Sequence, residues 1–237
     1  RNVVSIYSKK KNIDDGDNNN IFWTTMADLL LGLAIIFMTL FVLAITGFSQ
    51  ETMELQQSKI QAAEELTELL KEENIEAEVD SLTGNVKISD LQLFNVGSYQ
   101  LSPKGKEFLN KFVPIYVNTI FEKPVLFENI ENIIIEGHTD SQMFKDAKTP
   151  NEQFTRNMQL SLQRAAAVQD YMFKTNYNKK NDAQLRKIVI VEGHSYSNPV
   201  LDKNGKEDYA KSRRVELKLR VKGKSISKVF GFDFGGN

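Results

Sequence analysis

The sequence predicts an α+β protein in which a single N-terminal transmembrane helix precedes an α/β sandwich, with helices on one face of a mixed sheet. The first observation behind this prediction is an apolar run over residues 21–48 that contains one ionisable side chain, Asp28. The second is the pattern after about residue 75, where predicted elements follow in the order β-hairpin, α, β, α, β, β. Strands and helices in this order favour a two-layer domain around one core.

The composition excludes several classes of protein. The chain has 237 residues and a formal net charge of -1, whereas a nucleic-acid-binding domain usually carries a clear basic excess. It contains no cysteine, so a disulfide scaffold, a cysteine-ligated metal and a thiol nucleophile are excluded. We therefore expect no nucleic-acid partner.

The apolar run 21–48 is long enough to cross a bilayer, which takes roughly 20 apolar residues. A signal peptide has an apolar core of only about 7–15 residues before a small-residue cleavage site, so we expect a retained helix. Lysines occupy positions 9–11, and acidic residues dominate positions 51–80. Because basic residues stay on the cytoplasmic side, we expect a cytoplasmic N-terminus and a C-terminal domain in the periplasm, beyond the bacterial inner membrane.

Asp28 lies about two turns into this predicted helix. A carboxyl group at that depth is costly when it faces lipid, and it usually marks an ion pathway. At about 100° per residue, small and polar residues share its stripe of the helix, as expected for a helix packed around a polar path. A passive anchor, in which Asp28 only snorkels or caps the helix, is the alternative. The predicted ion-translocation residues are Asp28, Thr24, Thr25 and Gly32.

A polar helical segment separates the span from the domain. Its weak apolar stripe fits a solvated spacer helix or a dimeric coiled coil. A glycine-rich C-terminal segment is expected to be a poorly ordered tail. The predicted segments are a cytoplasmic tail at 1–20, a transmembrane helix at 21–48, a helical linker at 49–74, the folded domain at 75–222 and a flexible tail at 223–237.

Local signals place the elements of the domain. A hairpin turn at 82–85 separates two short strands. Ser102 and Pro103 form an N-cap followed by proline, which opens a helix towards Phe121, and Pro114 should kink or split that helix. The other predicted elements are strands at 132–136, 187–192 and 214–221 and a helix at 155–174.

Two predicted strands end in matching motifs, IIIEGHTD at 133–140 and IVIVEGHS at 188–195. These motifs hold both histidines of the chain, His138 and His194. Zinc normally takes three or four ligands, and no third ligand follows at a recognisable spacing, so we predict no metal site and no cofactor. Since no nucleophile elbow, P-loop or dinucleotide motif is present, we also predict no enzymatic activity.

Three motifs in order resemble the OmpA-like peptidoglycan-binding domain: GHTD at 137–140, NxxLSxxRA at 157–165 and SRRVE at 212–216. The resemblance covers about residues 75–222 and implies that Asp140 and Arg164 hold the peptide stem of peptidoglycan. Diaminopimelate carries an ammonium and a carboxylate on one centre, which a carboxylate and a guanidinium can grip. An internal salt bridge is the alternative role for Arg164. The resemblance implies further contributions from Thr139, Asn157, Arg213 and Arg214.

The sequence departs from the family pattern at two places. The connection 141–156 is longer than usual, and Ser212 stands where the family usually has asparagine. These departures concern the affinity of the cleft for peptidoglycan rather than the fold.

A single span with an early aspartate, followed by such a domain, resembles the MotB class of stator subunits. The motif WxxxADL at 23–29 carries this resemblance, and residues 28–39 also resemble ExbD and TolR spans. The longer form FWxxxADLxxGLA is most similar to the ZorB subunits of Zorya anti-phage defence. The resemblance implies a homodimer inside a pentameric MotA- or ZorA-like channel subunit in the lipid bilayer. It also implies a flow of ions past Asp28, with protons as the expected ion. A flagellar MotB-type subunit and a passive cell-wall tether are the alternatives.

Overall fold

The computed structural model describes residues 14–144 and 146–222 of the chain. It divides into two compact units, and the second unit begins at Glu51. The predicted tail 223–237 and residues 1–13 of the predicted cytoplasmic segment lie outside the described residues.

Helix α1 spans Asp14–Glu72. Within the first unit, its stretch Asn20–Thr46 has 27 residues and a mean hydropathy of 2.8, so it is long and apolar enough to cross a membrane. Its threonine hydroxyls donate to carbonyl oxygens three or four residues earlier, as Thr24 does to Asn20 at 2.7 Å. Such bonds satisfy hydroxyl groups inside a helix without a partner from outside it.

The part of α1 that belongs to the second unit differs from the sequence prediction. Ala62, Ala63, Leu66 and Leu70 are buried, and three of them join the main core of the domain. The segment 49–74 was expected to be a solvated spacer or a coiled coil, but its second half is a core helix. The apolar stripe therefore packs on the chain's own domain, which begins before residue 75.

The domain contains a five-stranded mixed sheet with the order β1-β2-β5-β3-β4. Strands β3 and β4 pair in parallel, and the other pairs are antiparallel. This mixed sheet with helices confirms the predicted fold class. The strands are β1 (Glu78–Val79), β2 (Val86–Ser89), β3 (Ile130–His138), β4 (Val189–Gly193) and β5 (Arg214–Val221). The further helices are α2 (Asp90–Leu93), α3 (Pro103–Phe121), α4 (Pro124–Asn129), α5 (Pro150–Met172), α6 (Asp182–Ile188) and α7 (Tyr209–Ser212), with a 3-10 turn at Lys179–Asn181.

Helix α3 begins as predicted, because the Ser102 hydroxyl accepts a hydrogen bond from the Gly105 N–H at 2.9 Å and Pro103 follows the cap. The helix continues through Pro114, so the predicted split is wrong. The neighbours Val113 and Tyr116 are fully buried. Their packing on the core offsets the backbone hydrogen bond that a proline removes.

Helix α5 lies unusually close to β3 and β4. A Cβ atom on Gly137 would lie 1.9 Å from the Ser161 carbonyl oxygen, and one on Gly193 would lie 2.8 Å from the Leu162 nitrogen. Only glycine permits this approach. The two matching EGH motifs therefore contain glycine for a packing reason, on the face of the sheet that meets α5.

We expect Gly137→Ala to destabilise the domain by about 3 kcal/mol or more, because the added methyl group meets backbone atoms that cannot rotate away. Thermal unfolding of the full-length chain in detergent measures this change. Gly32→Ala is the matched control, since nothing lies within 4 Å of a Cβ at Gly32. Equal melting temperatures for wild type and Gly137→Ala would contradict the proposed contact.

Candidate functional site

Four charged side chains from four parts of the domain meet beside α5. Asp90 opens α2, Asp140 follows β3, Arg164 lies on α5 and Arg213 precedes β5. The Asp90 N–H donates to the Arg213 carbonyl oxygen at 3.2 Å, which ties two of these segments together. We call Asp90, Asp140, Arg164 and Arg213 the charge cluster.

Arg164 is the most constrained member of the charge cluster. Its side chain is 2% exposed and forms an ion pair with Asp90, with 3.1 Å between Nη1 and Oδ2. Its Nε donates to the Ser98 carbonyl oxygen at 3.0 Å, and the guanidinium carbon lies 5.4 Å from the Phe94 ring centre. These are the contacts of an internal salt bridge, the alternative role that the sequence left open.

Arg213 links the two carboxylates of the cluster. It forms an ion pair with Asp140, and its Nε lies 3.8 Å from Asp90 Oδ1. With 27% of its side chain exposed, Arg213 is the most accessible member. Two aspartates and two arginines thus alternate in space, and their formal charges cancel.

Burial acts against both charges of the Asp90–Arg164 pair. Burial raises the pKa of Asp90, although the two nearby guanidinium groups oppose this shift. Burial likewise lowers the pKa of Arg164, although Asp90 opposes that shift. Each buried charge therefore depends on the other for electrostatic stabilisation.

The other residues predicted to bind peptidoglycan are Thr139, Asn157 and Arg214, and they lie outside the charge cluster. The Thr139 N–H donates to Ser195 O at 2.9 Å, while its buried hydroxyl has no partner among the described residues. Asn157 is buried on α5 and donates to the Gln153 carbonyl oxygen at 3.1 Å. Arg214 pairs with Glu216 instead. The structure thus brings Asp140, Arg164 and Arg213 together but gives Arg214 another partner.

The loop after Asp140 is shorter than the predicted connection at 141–156, because α5 already begins at Pro150. The Thr149 hydroxyl accepts from the Glu152 N–H at 3.1 Å and caps the helix. Gln153 anchors the loop, since its side-chain oxygen accepts from the Phe144 N–H at 2.8 Å. The loop is therefore tied to the first turn of α5.

Sequence reasoning missed Asp90, which belongs to no motif and follows β2 in a short helix. It also missed that both histidines lie side by side, with ring centres 4.9 Å apart. The EGH motifs bring Glu136 and Glu192 to the same place. Shared motif position was the signal that could have found this second cluster.

The predicted ion-translocation residues Thr24, Thr25, Asp28 and Gly32 lie on the apolar stretch of α1, and all four are exposed. Thr25 donates to the carbonyl oxygens of Ile21 and Phe22 at 3.0 Å. The role of these residues stays a prediction.

A family model described as the OmpA family matches residues 93–213. The chain belongs to the OmpA family. This match contains Asp140, Arg164 and Arg213 of the charge cluster, the first two motifs and the start of the third, so the domain resemblance is confirmed.

Similar proteins extend the likeness to most of the chain. Two relatives from Escherichia coli both carry the name Zorya protein ZorB. The one from strain Crooks is 28% identical over 219 residues, covering 88% of this chain and 92% of the relative. The one from strain E24377A is 22% identical over 228 residues, covering 91% and 85%. These matches support the predicted resemblance to a MotB-like subunit of the ZorB type.

The fold has a counterpart among solved structures. A MotB-like protein from Desulfovibrio vulgaris has a TM-score of 0.51 and 20% identity, covering 72% of this chain and 96% of that chain. At this identity the likeness concerns the fold, which agrees with the OmpA family.

We expect Asp90→Ala to destabilise this OmpA-family domain by about 3–5 kcal/mol, because the change leaves the Arg164 guanidinium buried without its partner. Thermal or urea unfolding of the full-length chain measures the loss. Asp170→Ala is the control: it breaks a surface pair with Lys174 whose side chains are 67% and 61% exposed, and such pairs contribute about 1 kcal/mol or less. Equal losses for the two variants would show that the buried pair is not a stability determinant.

Proposed function

We propose that this chain is the peptidoglycan-anchored subunit of an ion-driven stator complex in the bacterial inner membrane, of the ZorB type. The observation that carries the proposal is that one chain combines an apolar span containing a single carboxyl group with an OmpA-family domain. The ZorB names of the relatives support it. In this arrangement the N-terminus is cytoplasmic and the domain lies in the periplasm.

The charge cluster offers a physical route to gripping the cell wall. Diaminopimelate carries an ammonium and a carboxylate. It can therefore separate the Asp140–Arg213 ion pair and give each side chain a new partner of opposite charge. Asp140 then accepts from the ammonium, and the arginine donates two parallel hydrogen bonds to the carboxylate. Arg164 is buried and paired with Asp90, and it reaches the same ligand when its bond to the Ser98 carbonyl opens. Thr139, next to Asp140 in the chain, has a hydroxyl without a hydrogen-bond partner among the described residues, and it is a further candidate contact.

The span supplies the proposed ion path. Asp28 binds and releases a proton as its surroundings alternate between wet and dry, while Thr24, Thr25 and Gly32 line its stripe. The companion chains are a second copy of this chain and a pentameric MotA- or ZorA-like channel subunit. Small and polar residues on one stripe suit such close helix packing.

Asp28→Asn tests the ion path. We expect the variant to insert and to bind the cell wall, but to lose the activity of the assembled complex, because an amide cannot carry a proton. Protection against phage by cells that express the complete system measures this activity. Asp170→Asn makes the same chemical change at an exposed position of the domain and should retain full protection. Full protection by Asp28→Asn would leave only a passive tether.

Asp140→Asn tests the grip on the wall. The amide keeps the oxygen that accepts from the Gln142 N–H at 3.2 Å, so the loop should persist while the charge is lost. We expect binding of the detergent-solubilised chain to isolated sacculi to fall about ten-fold or more, the range for a charged hydrogen bond. Asp170→Asn should bind as wild type does. Undiminished binding by Asp140→Asn would remove the proposed site.

A further inference from the structure

Three glutamates form one row across the sheet, on the face opposite α5. Glu136 on β3 pairs with Glu192 on β4 and with Glu216 on β5. Like charges directly opposite one another destabilise a sheet. The charge cluster does not use any of these side chains, so the row needs a separate explanation.

Both histidines border this row. His138 Nε2 lies 3.1 Å from Glu136 Oε2, and His194 Nε2 lies 3.7 Å from the same oxygen. His194 Nε2 also lies 3.3 Å from Glu192 Oε2. We call Glu136, His138, Glu192, His194 and Glu216 the outer-face cluster.

These separations match the spacing of ligands around a small metal ion. Tetrahedral zinc binds nitrogen and oxygen ligands at about 2.0–2.1 Å, which places neighbouring ligand atoms roughly 3.3 Å apart. One ligand atom each of Glu136, Glu192 and His194 lies within 4.8 Å of the others. Side chains from β3, from β4 and from the residue directly after β4 are thus close enough to bind the same ion.

The cluster also contains an interior polar atom without a partner in the described part of the chain. His138 faces Glu136 through its Nε2 atom. The buried His138 ring stacks on His194 at an interplanar angle of 21°. Its Nδ1 is buried and has no hydrogen-bond partner among the described residues, an unusual state for an interior polar atom.

Cations already neutralise part of the cluster. Lys218 Nζ lies 2.6 Å from Glu136 Oε2, and Arg214 pairs with Glu216. The Lys218 side chain is 32% exposed and flexible, so it can withdraw into solvent. Among the lysines and arginines of the described residues, Glu192 pairs only with Arg220, at 3.9 Å.

We propose that Glu136, Glu192 and His194 bind a divalent transition-metal ion of the zinc class, with His138 orienting Glu136 and His194. Imidazole with carboxylate suits zinc better than calcium or magnesium, which prefer oxygen ligands alone. His194 is 27% exposed, so the fourth ligand position opens to solvent. The ion displaces the Lys218 ammonium and joins β3 to β4, which lies at the edge of the sheet.

Calorimetric titration of the untagged, full-length chain in detergent with zinc chloride tests the proposal. We expect one ion per chain and a higher melting temperature with zinc, because an ion that binds only the folded state stabilises it. The chain has two histidines, both in this cluster, and no cysteine. Zinc binding that depends on imidazole therefore reports this cluster.

Three variants sharpen the test. His194→Gln and Glu192→Gln should each weaken zinc binding at least ten-fold, and both positions are partly exposed, so folding should persist. Glu131→Gln changes an exposed position on β3, the strand that carries Glu136, and should leave the affinity unchanged. Absence of saturable zinc binding to wild type, or equal affinity in His194→Gln, would overturn the proposal.

Lys218→Met gives a test in the opposite direction. Without the competing ammonium, we expect zinc to bind about ten-fold more tightly. Cobalt in place of zinc should give the visible absorption of a tetrahedral site in Lys218→Met and in wild type, and it should be lost in His194→Gln. Weaker zinc binding by Lys218→Met would contradict the assignment of Glu136 as a ligand.

Discussion

The close approach of α5 to β3 and β4 is the constraint on which the arrangement of the domain depends. Gly137 and Gly193 allow the helix backbone to lie where any side chain would block it. This contact sets the position of α5 on the sheet, and it therefore brings Arg164 to Asp90, which directly follows β2. Because side chains alternate along a strand, the same glycines direct their neighbours Glu136 and His138 to the opposite face. One packing contact thus positions both polar clusters.

The two clusters balance charge in different ways. The charge cluster is closed, since each aspartate faces an arginine and burial penalises any unpaired member. The outer-face cluster is more open, because three carboxylates share fewer close cations and its partly exposed edge includes His194. A zwitterion can bind the fully paired charge cluster, because it supplies a partner for each charge that it separates. The outer-face cluster has an excess of carboxylates, so it can bind a cation alone.

Local signals predicted much of the fold, whereas long-range pairings could not be read from the chain. Ser102 and Pro103 placed the start of α3, and the alternating pattern placed β5 at its observed bounds. The same capping chemistry at Thr149 and Pro150 marks the start of α5, whereas the apolar pattern of the sequence places that start at residue 155. The buried stripe of α1 could not be assigned, because periodicity shows an apolar face and not what covers it. Asp90 and the row of glutamates depend on sheet register, which no local pattern contains.

The parallel register of β3 and β4 places the two copies of the EGH motif next to each other in the sheet. In this parallel register, equivalent residues of the two motifs lie side by side, so glutamate is next to glutamate and glycine is next to glycine. An antiparallel pairing would reverse one copy and set unlike letters opposite each other. The two EGH copies therefore behave as one duplicated unit. A substitution in one copy alters the surroundings of the equivalent residue in the other copy. The changes in the free energy of unfolding caused by two such substitutions should therefore not be additive.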